Sequence, residues 1–342
     1  MIEQFKKSFD LSIKDYKKDI KSFHWNNFFK EKFSNLDIKD LYDFRNNHLS
    51  DGMDNVRRDN LSSNLRLQQF KDFLLKNKKK IEDYYQYFPK KNIGNCPNQV
   101  QLGGGYIDYI FIEHLMMYLD LKKYIFEKNN IQNICEIGGG FGSLARIIIS
   151  QSKIKYFLID LPETNLLSAF YLNQHFKDKK IFTYEKVTNN EINENDIAQY
   201  DIIILPPWVH WASVKIDLFI NTRSMMEMNF TVIKDYFKFI VKNISTNGFL
   251  YNCNRYYKDT VGHPIQFHKY PYDNFWKLIN SEPTWCQRRM HTLITQRSSV
   301  ETNDIKKTML TIKDLSKNHA PHFLQQIKIL RLGINLIKKL LK

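Results

Sequence analysis

The stretch 132–163, QNICEIGGGFGSLARIIISQSKIKYFLIDLPE, constrains the fold more than any other part of the chain. Residues 133–137 (NICEI) form a short apolar run that ends in Gly138, Gly139, Gly140 and Gly142. That is the composition of a buried parallel strand turning sharply into a helix. Glycine tolerates positive φ, and without a Cβ it lets the backbone approach a ligand closely. Ser143 is placed to cap the next segment, in which Leu144, Ile147 and Ile148 recur at helical spacing. Residues 156–159 (YFLI) read as a second buried strand with Asp160 at its carboxyl end, where a carboxylate accepts hydrogen bonds from both ribose hydroxyls. Strand, glycine turn, helix, strand and terminal acid make half of a nucleotide site, and adenosine is the expected ligand. A glycine turn alone would be a tight connection in any α/β domain; the strand glutamate and the terminal aspartate set this one apart.

Two kinds of adenosine cofactor fit. A dinucleotide fingerprint asks for glycine or alanine at 143, where this chain has Ser143, and Glu136 would bring negative charge close to a pyrophosphate. Glu136 suits a sulfonium cofactor with a positively charged methionine end. The string EIGGGFG with Asp160 downstream resembles the first two motifs of class I S-adenosylmethionine-dependent methyltransferases. More narrowly, EIGGGFGSLAR followed by IDLPET resembles the bacterial sugar O-methyltransferases associated with surface polysaccharide synthesis, over roughly residues 103–296. The resemblance implies an α/β fold, a Rossmann-like class I methyltransferase sheet with helices on both faces, preceded by a helical N-terminal region. It implies S-adenosyl-L-methionine as cofactor, contacted by Glu136, Gly138, Gly140, Phe141, Asp160, Leu161 and Pro206. A nucleic-acid or other amino-group methyltransferase, a nicotinamide oxidoreductase and a catalytically silent adapter of the same fold stay open as alternatives.

At 342 residues and 43% hydrophobic content the chain can bury a sizeable core, which we divide into a helical region (1–125), a methyltransferase domain (126–300) and a helical tail (301–342). In the first region Phe5, Phe9, Ile13 and Tyr16 share one helical face, and Phe70, Phe73, Leu74 and Ile81 another. A loop at 92–105 then leads into an apolar helix at 106–124; its Gly103, Gly104 and Gly105 either bring amides to a ligand or form a hinge. Cys96, Cys135, Cys253 and Cys286 are scattered without a C-x-x-C pair, which points to the reducing cytoplasm and away from zinc or disulfides. Signal-peptide and membrane-spanning runs are not expected. No clustered carboxylate pair suggests magnesium, so metal independence is expected. The formal charge of +15 suits an acidic partner: a phosphorylated sugar carrier, an anionic lipid surface or nucleic acid. The run 76–80 (KNKKK) reads as a solvated helix end. Residues 323–342, with apolar positions at helical spacing and five basic residues, form an amphipathic helix that either lies on anionic lipid or docks on its own domain or a second subunit.

Beyond Asp160 the alternation of a doubly wound sheet continues: a helix at 162–176, a third strand at 181–184, a fourth at 200–205, a long helix at 225–244 and a fifth strand at 248–254. Residues 290–296, paired with 265–270, supply an antiparallel hairpin. Ligands bind beyond the carboxyl ends of such strands. Leu205-Pro-Pro-Trp208 is therefore expected to line the methyl-transfer pocket. Amino-methyltransferases carry Asn or Asp, then Pro-Pro and an aromatic residue there; Leu205 lacks the side-chain acceptor, which argues against nitrogen methylation, while Trp208 still offers a ring for stacking. A sugar hydroxyl must lose its proton as the new bond forms. The candidate bases are His263, His210 and Glu227, with His263 preferred because Gly262 and Pro264 fix a loop able to reach over the cofactor. Asn221, Arg223, Arg255 and Trp208 are the candidate substrate contacts, with Glu227 and Arg223 alternatively pairing as i,i+4 neighbours on a helix.

Overall fold

The computed structural model describes residues 1–16, 25, 26, 29, 32–50, 61–259, 263–285, 287 and 289–319. The amphipathic tail at 323–342, Cys286, and residues 260–262 beside His263 lie outside the described residues. In the N-terminal region the helical periodicity produces α1 (Ile2–Lys14) and α2 (Leu61–Lys76). The glycines that follow close a hairpin. Strands β1 (Val100–Leu102) and β2 (Gly105–Ile107) form a hairpin in which Gly103 and Gly104 are the two turn residues, at φ 57° and 69°. Two positive φ values in succession are the requirement of a tight hairpin turn, which glycine meets without strain. The apolar helix α3 (Tyr109–Leu121) comes next.

The short apolar runs then build the main sheet. Its first elements are β3 (Asn133–Ile137), α4 (Ser143–Ile149), β4 (Lys155–Ile159), α5 (Pro162–His175) and β5 (Ile181–Phe182). After these come β6 (Glu191–Asn193), α6 (Glu194–Ile197), β7 (Ile202–Leu205), β8 (His210–Ala212), β9 (Ile216–Thr222) and α7 (Phe230–Asn243). The chain continues through β10 (Ile244–Arg255), β11 (Tyr257–Lys258), β12 (Ile265–Gln266), β13 (Trp276–Pro283), β14 (Met290–Arg297) and α8 (Asp304–His319). Eight strands pair in the order β13-β14-β10-β9-β3-β4-β7-β5. From β5 to β10 the pairs are parallel, and β14 joins β10 antiparallel. This is a Rossmann-like, mostly parallel sheet with an antiparallel edge, and helices cover both of its faces.

Alternate strand residues feed two cores, as a doubly covered sheet requires. Ile134, Leu158, Ile204, Ile220 and Tyr251 pack with the N-terminal helices, α3, α4 and α5. Cys135, Phe157, Ile203, Phe219 and Leu250 pack with α7 and α8 on the other side. Among the described residues no helix is long and apolar enough to cross a membrane.

Three sequence expectations change. The strand at 202–205 borders β4, the short strand at 181–182 lies outside it at the sheet edge, and a further strand intervenes before the one expected at 248–254. The place beside β3 belongs to β9, which was not expected. The predicted helix from 225 instead starts at Phe230, after a 3-10 turn at Met225–Glu227. Arg223, at φ 64°, takes a left-handed conformation that no α-helix continues through. Finally, β14 pairs with β13, whereas Ile265–Gln266 pairs with Tyr257–Lys258 in a separate hairpin.

Within the N-terminal region a buried ion pair ties the segment around Arg45 to the start of α3. Asp108 caps α3, accepting from the amides of Ile110 and Phe111 at 2.9 and 3.1 Å, and Arg45 Nη1 donates to its other oxygen at 3.0 Å. Burial alone would raise the Asp108 pKa, but the Arg45 charge and these hydrogen bonds hold it below the usual carboxylate range. Arg45→Ala strands that carboxylate without its cation and should cost about 3–5 kcal/mol in urea unfolding at pH 7. Because the native pKa is depressed, the wild-type contribution is complete above about pH 4 and fades as pH falls through the native value. The gap between the two proteins should therefore close in acid; a gap independent of pH would place the effect elsewhere.

Candidate functional site

The strand order reverses between β3 and β9, so the crevice at the carboxyl ends of β3, β4, β9 and β10 is where such a sheet binds ligands. Its floor is the glycine turn. Gly138, Gly140 and Gly142 have φ of 73°, 58° and 89°. A Cβ at Gly138 would overlap the Ser224 hydroxyl, and one at Gly139 would sit 2.9 Å from the Glu136 carboxyl. The turn is thus a cradle closed beneath by other strands.

Asp160 stands at its rim. The Gly140 amide donates to Asp160 Oδ2 at 3.0 Å, and the Leu161 amide donates to Oδ1 at 2.7 Å. Burial pushes the Asp160 pKa up to about 7 despite those two amides, and the nearby carboxylates Glu163 and Glu227 add to the rise. Glu136 is buried beneath Gly139; Tyr156 Oη donates to its Oε2 at 2.7 Å, and its Oε1 has no hydrogen-bond partner among the described residues. Burial raises this carboxyl to about 7 as well. Phe141 points inward: its ring packs 5.6 Å from Phe44 and 5.0 Å from Tyr171, with the Arg45 guanidinium 4.9 Å from its centroid. At this position the side chain is occupied by the core, so a ligand would meet backbone.

Across the switch point, Asn221 is fully buried and used up internally. Its amide nitrogen donates to the Ile137 carbonyl at 2.8 Å and to Ser224 Oγ at 2.5 Å; its oxygen accepts from Asn254 at 2.7 Å. It ties β3, β9 and β10 together and has no group left for a substrate. Arg223 and Glu227 do not pair with each other. Arg223 Nη1 donates to Glu113 Oε2 at 2.6 Å, while Glu227 takes Lys258 from the β11–β12 hairpin. Glu113, on α3, also accepts from Arg66 at 3.2 Å and Gln287 at 2.6 Å. Arg255, at the end of β10, brings a half-buried guanidinium to the same side.

The structure brings Glu136, Gly138, Gly140, Asp160, Leu161, Arg223, Glu227 and Arg255 to this edge, and Pro206 follows Leu205, whose carbonyl accepts from the Asp160 amide at 3.3 Å. Trp208 packs on Tyr16 and Tyr184 at ring separations of 5.7 and 6.2 Å, and Pro206 faces Phe5 and Phe9 of α1. LPPW follows β7, on the far side of β4 from β3, and meets the N-terminal helix there. His210 is exposed on β8, which pairs with β6 outside the main sheet. His263 is exposed between β11 and β12, in the hairpin that also carries Lys258.

Sequence reasoning missed Glu113, Lys258, Arg66 and Gln287. Glu113 had a signal: an acid set in the apolar run IFIEHLM must find cations if that helix is buried. Among the described residues no group of three or more His, Cys, Asp or Glu side chains is placed to hold a metal ion.

No protein-family model matches the sequence, and no curated protein is detectably similar to it. Among solved structures the chain is similar to the mitomycin 7-O-methyltransferase MmcR, at 12% identity, covering 56% of this chain and 55% of that one, with a TM-score of 0.38. The match thus spans about half of that protein's length. It is also similar to the N-methyltransferase NodS of Bradyrhizobium japonicum in complex with S-adenosyl-L-homocysteine (11% identity, 55% and 87% covered, TM-score 0.36). A third is the magnesium protoporphyrin IX methyltransferase ChlM of Synechocystis PCC 6803 with bound SAM (11% identity, 55% and 81% covered, TM-score 0.37).

The buried Glu136 makes a prediction about pH. Its native pKa of about 7 lies above the unfolded value of about 4.3, so the native state holds a proton that the unfolded state has lost between these limits. Wild-type stability therefore falls as pH rises from about 4.5 to 7 and levels off above. Glu136→Gln keeps the shape without the ionisation. Its stability relative to wild type should rise across that interval and stay constant beyond it, measured by chemical unfolding without cofactor; a difference that does not change with pH would rule out the buried ionisation.

Proposed function

We propose that this chain is an S-adenosylmethionine-dependent O-methyltransferase whose acceptor is a sugar hydroxyl in the cytoplasmic assembly of a surface polysaccharide or glycoconjugate. One observation carries the reading: a glycine cradle at the switch point with Asp160 at its rim and a buried carboxyl, Glu136, beneath it. The residues fit the cofactor. Asp160 offers acceptor oxygens for ribose hydroxyls, the turn offers backbone amides, and Glu136 supplies negative character under the cationic methionine end. When bound, the cofactor supplies an electrophilic methyl group. The chain's own task is to align the acceptor oxygen and remove its proton. We assign the second step to Glu227; its proximity to Asp160 at the strand-end crevice and its pairing with Lys258 support this. His263, in the same hairpin as Lys258, is the second candidate for it. The sugar class rests on the resemblance of EIGGGFGSLAR and IDLPET to the bacterial sugar methyltransferases.

Calorimetric titration should show S-adenosylhomocysteine binding and no binding of NADH. Asp160→Ala should weaken S-adenosylhomocysteine at least about tenfold, the effect of losing charge-assisted hydrogen bonds. Glu227→Gln should leave that affinity unchanged and slow labelled-methyl transfer to extracted glycans or nucleotide sugars by about 10²–10⁴-fold, the usual contribution of a general base. If S-adenosylhomocysteine does not bind the full chain, the methyltransferase reading fails.

A further inference from the structure

Charge at the site is divided. Glu136 and Asp160 lie on the β3–β4 side, and cations gather at the ends of β9 and β10. There Arg66 and Arg223 share Glu113, and Lys258 takes Glu227. Arg255 is left over. Among the described residues it has no carboxylate partner, and its buried Nε has no hydrogen-bond acceptor. Its charged neighbours include Arg223 and Arg289, which repel it, and Glu227, which is already engaged. A guanidinium at this depth is normally paired, because burying an unpaired charge is costly.

We propose that Arg255 is the centre of an oxyanion subsite, and that the acceptor presents a phosphate or carboxylate group to it, flanked by Arg223 and Arg289. The inference rests on the methyltransferase reading, which fixes the cofactor on the β3–β4 side. The guanidinium fork matches a phosphate or carboxylate with two parallel hydrogen bonds. Arg255 ends β10, two strands from β3. Two strand spacings are about 10 Å, which leaves room for a hexose between the methyl-transfer point and the anion. The acceptor class is therefore an anionic sugar: a phosphoester, including a nucleotide sugar, or a uronic acid. Glucose without such a group leaves Arg255 unpaired.

The test uses the full chain saturated with S-adenosylhomocysteine and titrates it with pyrophosphate, with glucuronate and with glucose. Pyrophosphate or glucuronate should bind and glucose should not; the arm that binds separates phosphoester from carboxylate. Arg255→Ala should weaken the binding anion about tenfold or more and leave S-adenosylhomocysteine affinity within about twofold. Arg255→Lys should restore part of the loss, since it keeps the charge and loses the fork. Arg289→Ala, at an exposed position, should weaken the same anion by a smaller factor and serves if the Arg255 variants do not fold. Three results would overturn the subsite: neither anion binding to cofactor-loaded wild type, anion affinity unchanged in the variants, or S-adenosylhomocysteine weakened as much as the anion. The last would assign Arg255 to the cofactor's own carboxylate. Failure of S-adenosylhomocysteine to bind wild type is a separate outcome and overturns the reading beneath the proposal.

Discussion

The carbonyl of Ile137, at the end of the first sheet strand, accepts hydrogen bonds from Asn221 at 2.8 Å and Ser224 at 3.0 Å. Much of the site follows from this capture. It pins the end of β3 to the end of β9, and Asn254 extends the node by donating to Asn221 and accepting from the Met226 amide. Buried side-chain amides are stable only when satisfied in this way. The capture also places Ser224 where a Cβ on residue 138 would be, so Gly138 is required by the neighbouring strand as well as by its positive φ. The same node explains the backbone at Arg223. With Asn221 and Ser224 both turned toward β3, the residues between them must bend, and Arg223 takes the left-handed conformation that aims its guanidinium at Glu113.

That bend separates two electrostatic environments within a few strands. On the β4 side two carboxyls are raised to about 7 by burial, so near neutrality each is poised between neutral and charged. A cation arriving there would lower both values and favour their ionised forms. On the β10 side the guanidinium and ammonium groups outnumber the carboxylates paired with them. A ligand pair with a cationic cofactor end and an anionic acceptor end would relieve both halves. Neither half requires a large rearrangement, because the pairs that hold Arg223 and Lys258 are already formed.

The glycine-turn half of the candidate site was legible in the sequence because its information is local: strand, glycines, helix and acid follow one another in 32 residues, 132–163. The half at the ends of β9 and β10 was not. Glu113, Arg223, Arg66 and Gln287 meet from separate elements, with 174 positions between Glu113 and Gln287. Pattern reading reports periodicity within a segment and says nothing of which segments meet. The missed strand β9 has a local cause as well. Its partly exposed Asp217 spoils the apolar run of IDLFINT, and the methionines after it extended the following helical pattern backwards. Asp217 is there for a reason that sequence cannot display, since it accepts from the backbone amides of Gln132 and Asn133 at 3.0 Å and so sets the register of β9 against β3.

LPPW shows how a motif that looks chemical can be architectural. Two prolines end β7 and remove backbone donors at the carboxyl edge of the sheet. What covers that edge is α1, with Phe5 and Phe9 facing Pro206, and Tyr16 meeting the Trp208 ring. Phe44 and Arg45 of the same N-terminal region reach Phe141 inside the glycine turn. Within its wider packing on the sheet domain, the helical region thus meets the glycine turn and the LPPW edge on either side of Asp160, and its docking and the shape of the glycine cradle are mechanically linked. Removing the aromatic contacts at Phe141 would loosen the loop that carries Gly140, the donor to Asp160, without touching a ligand-facing group. In this chain the N-terminal region is part of the site's support as well as a neighbour to it.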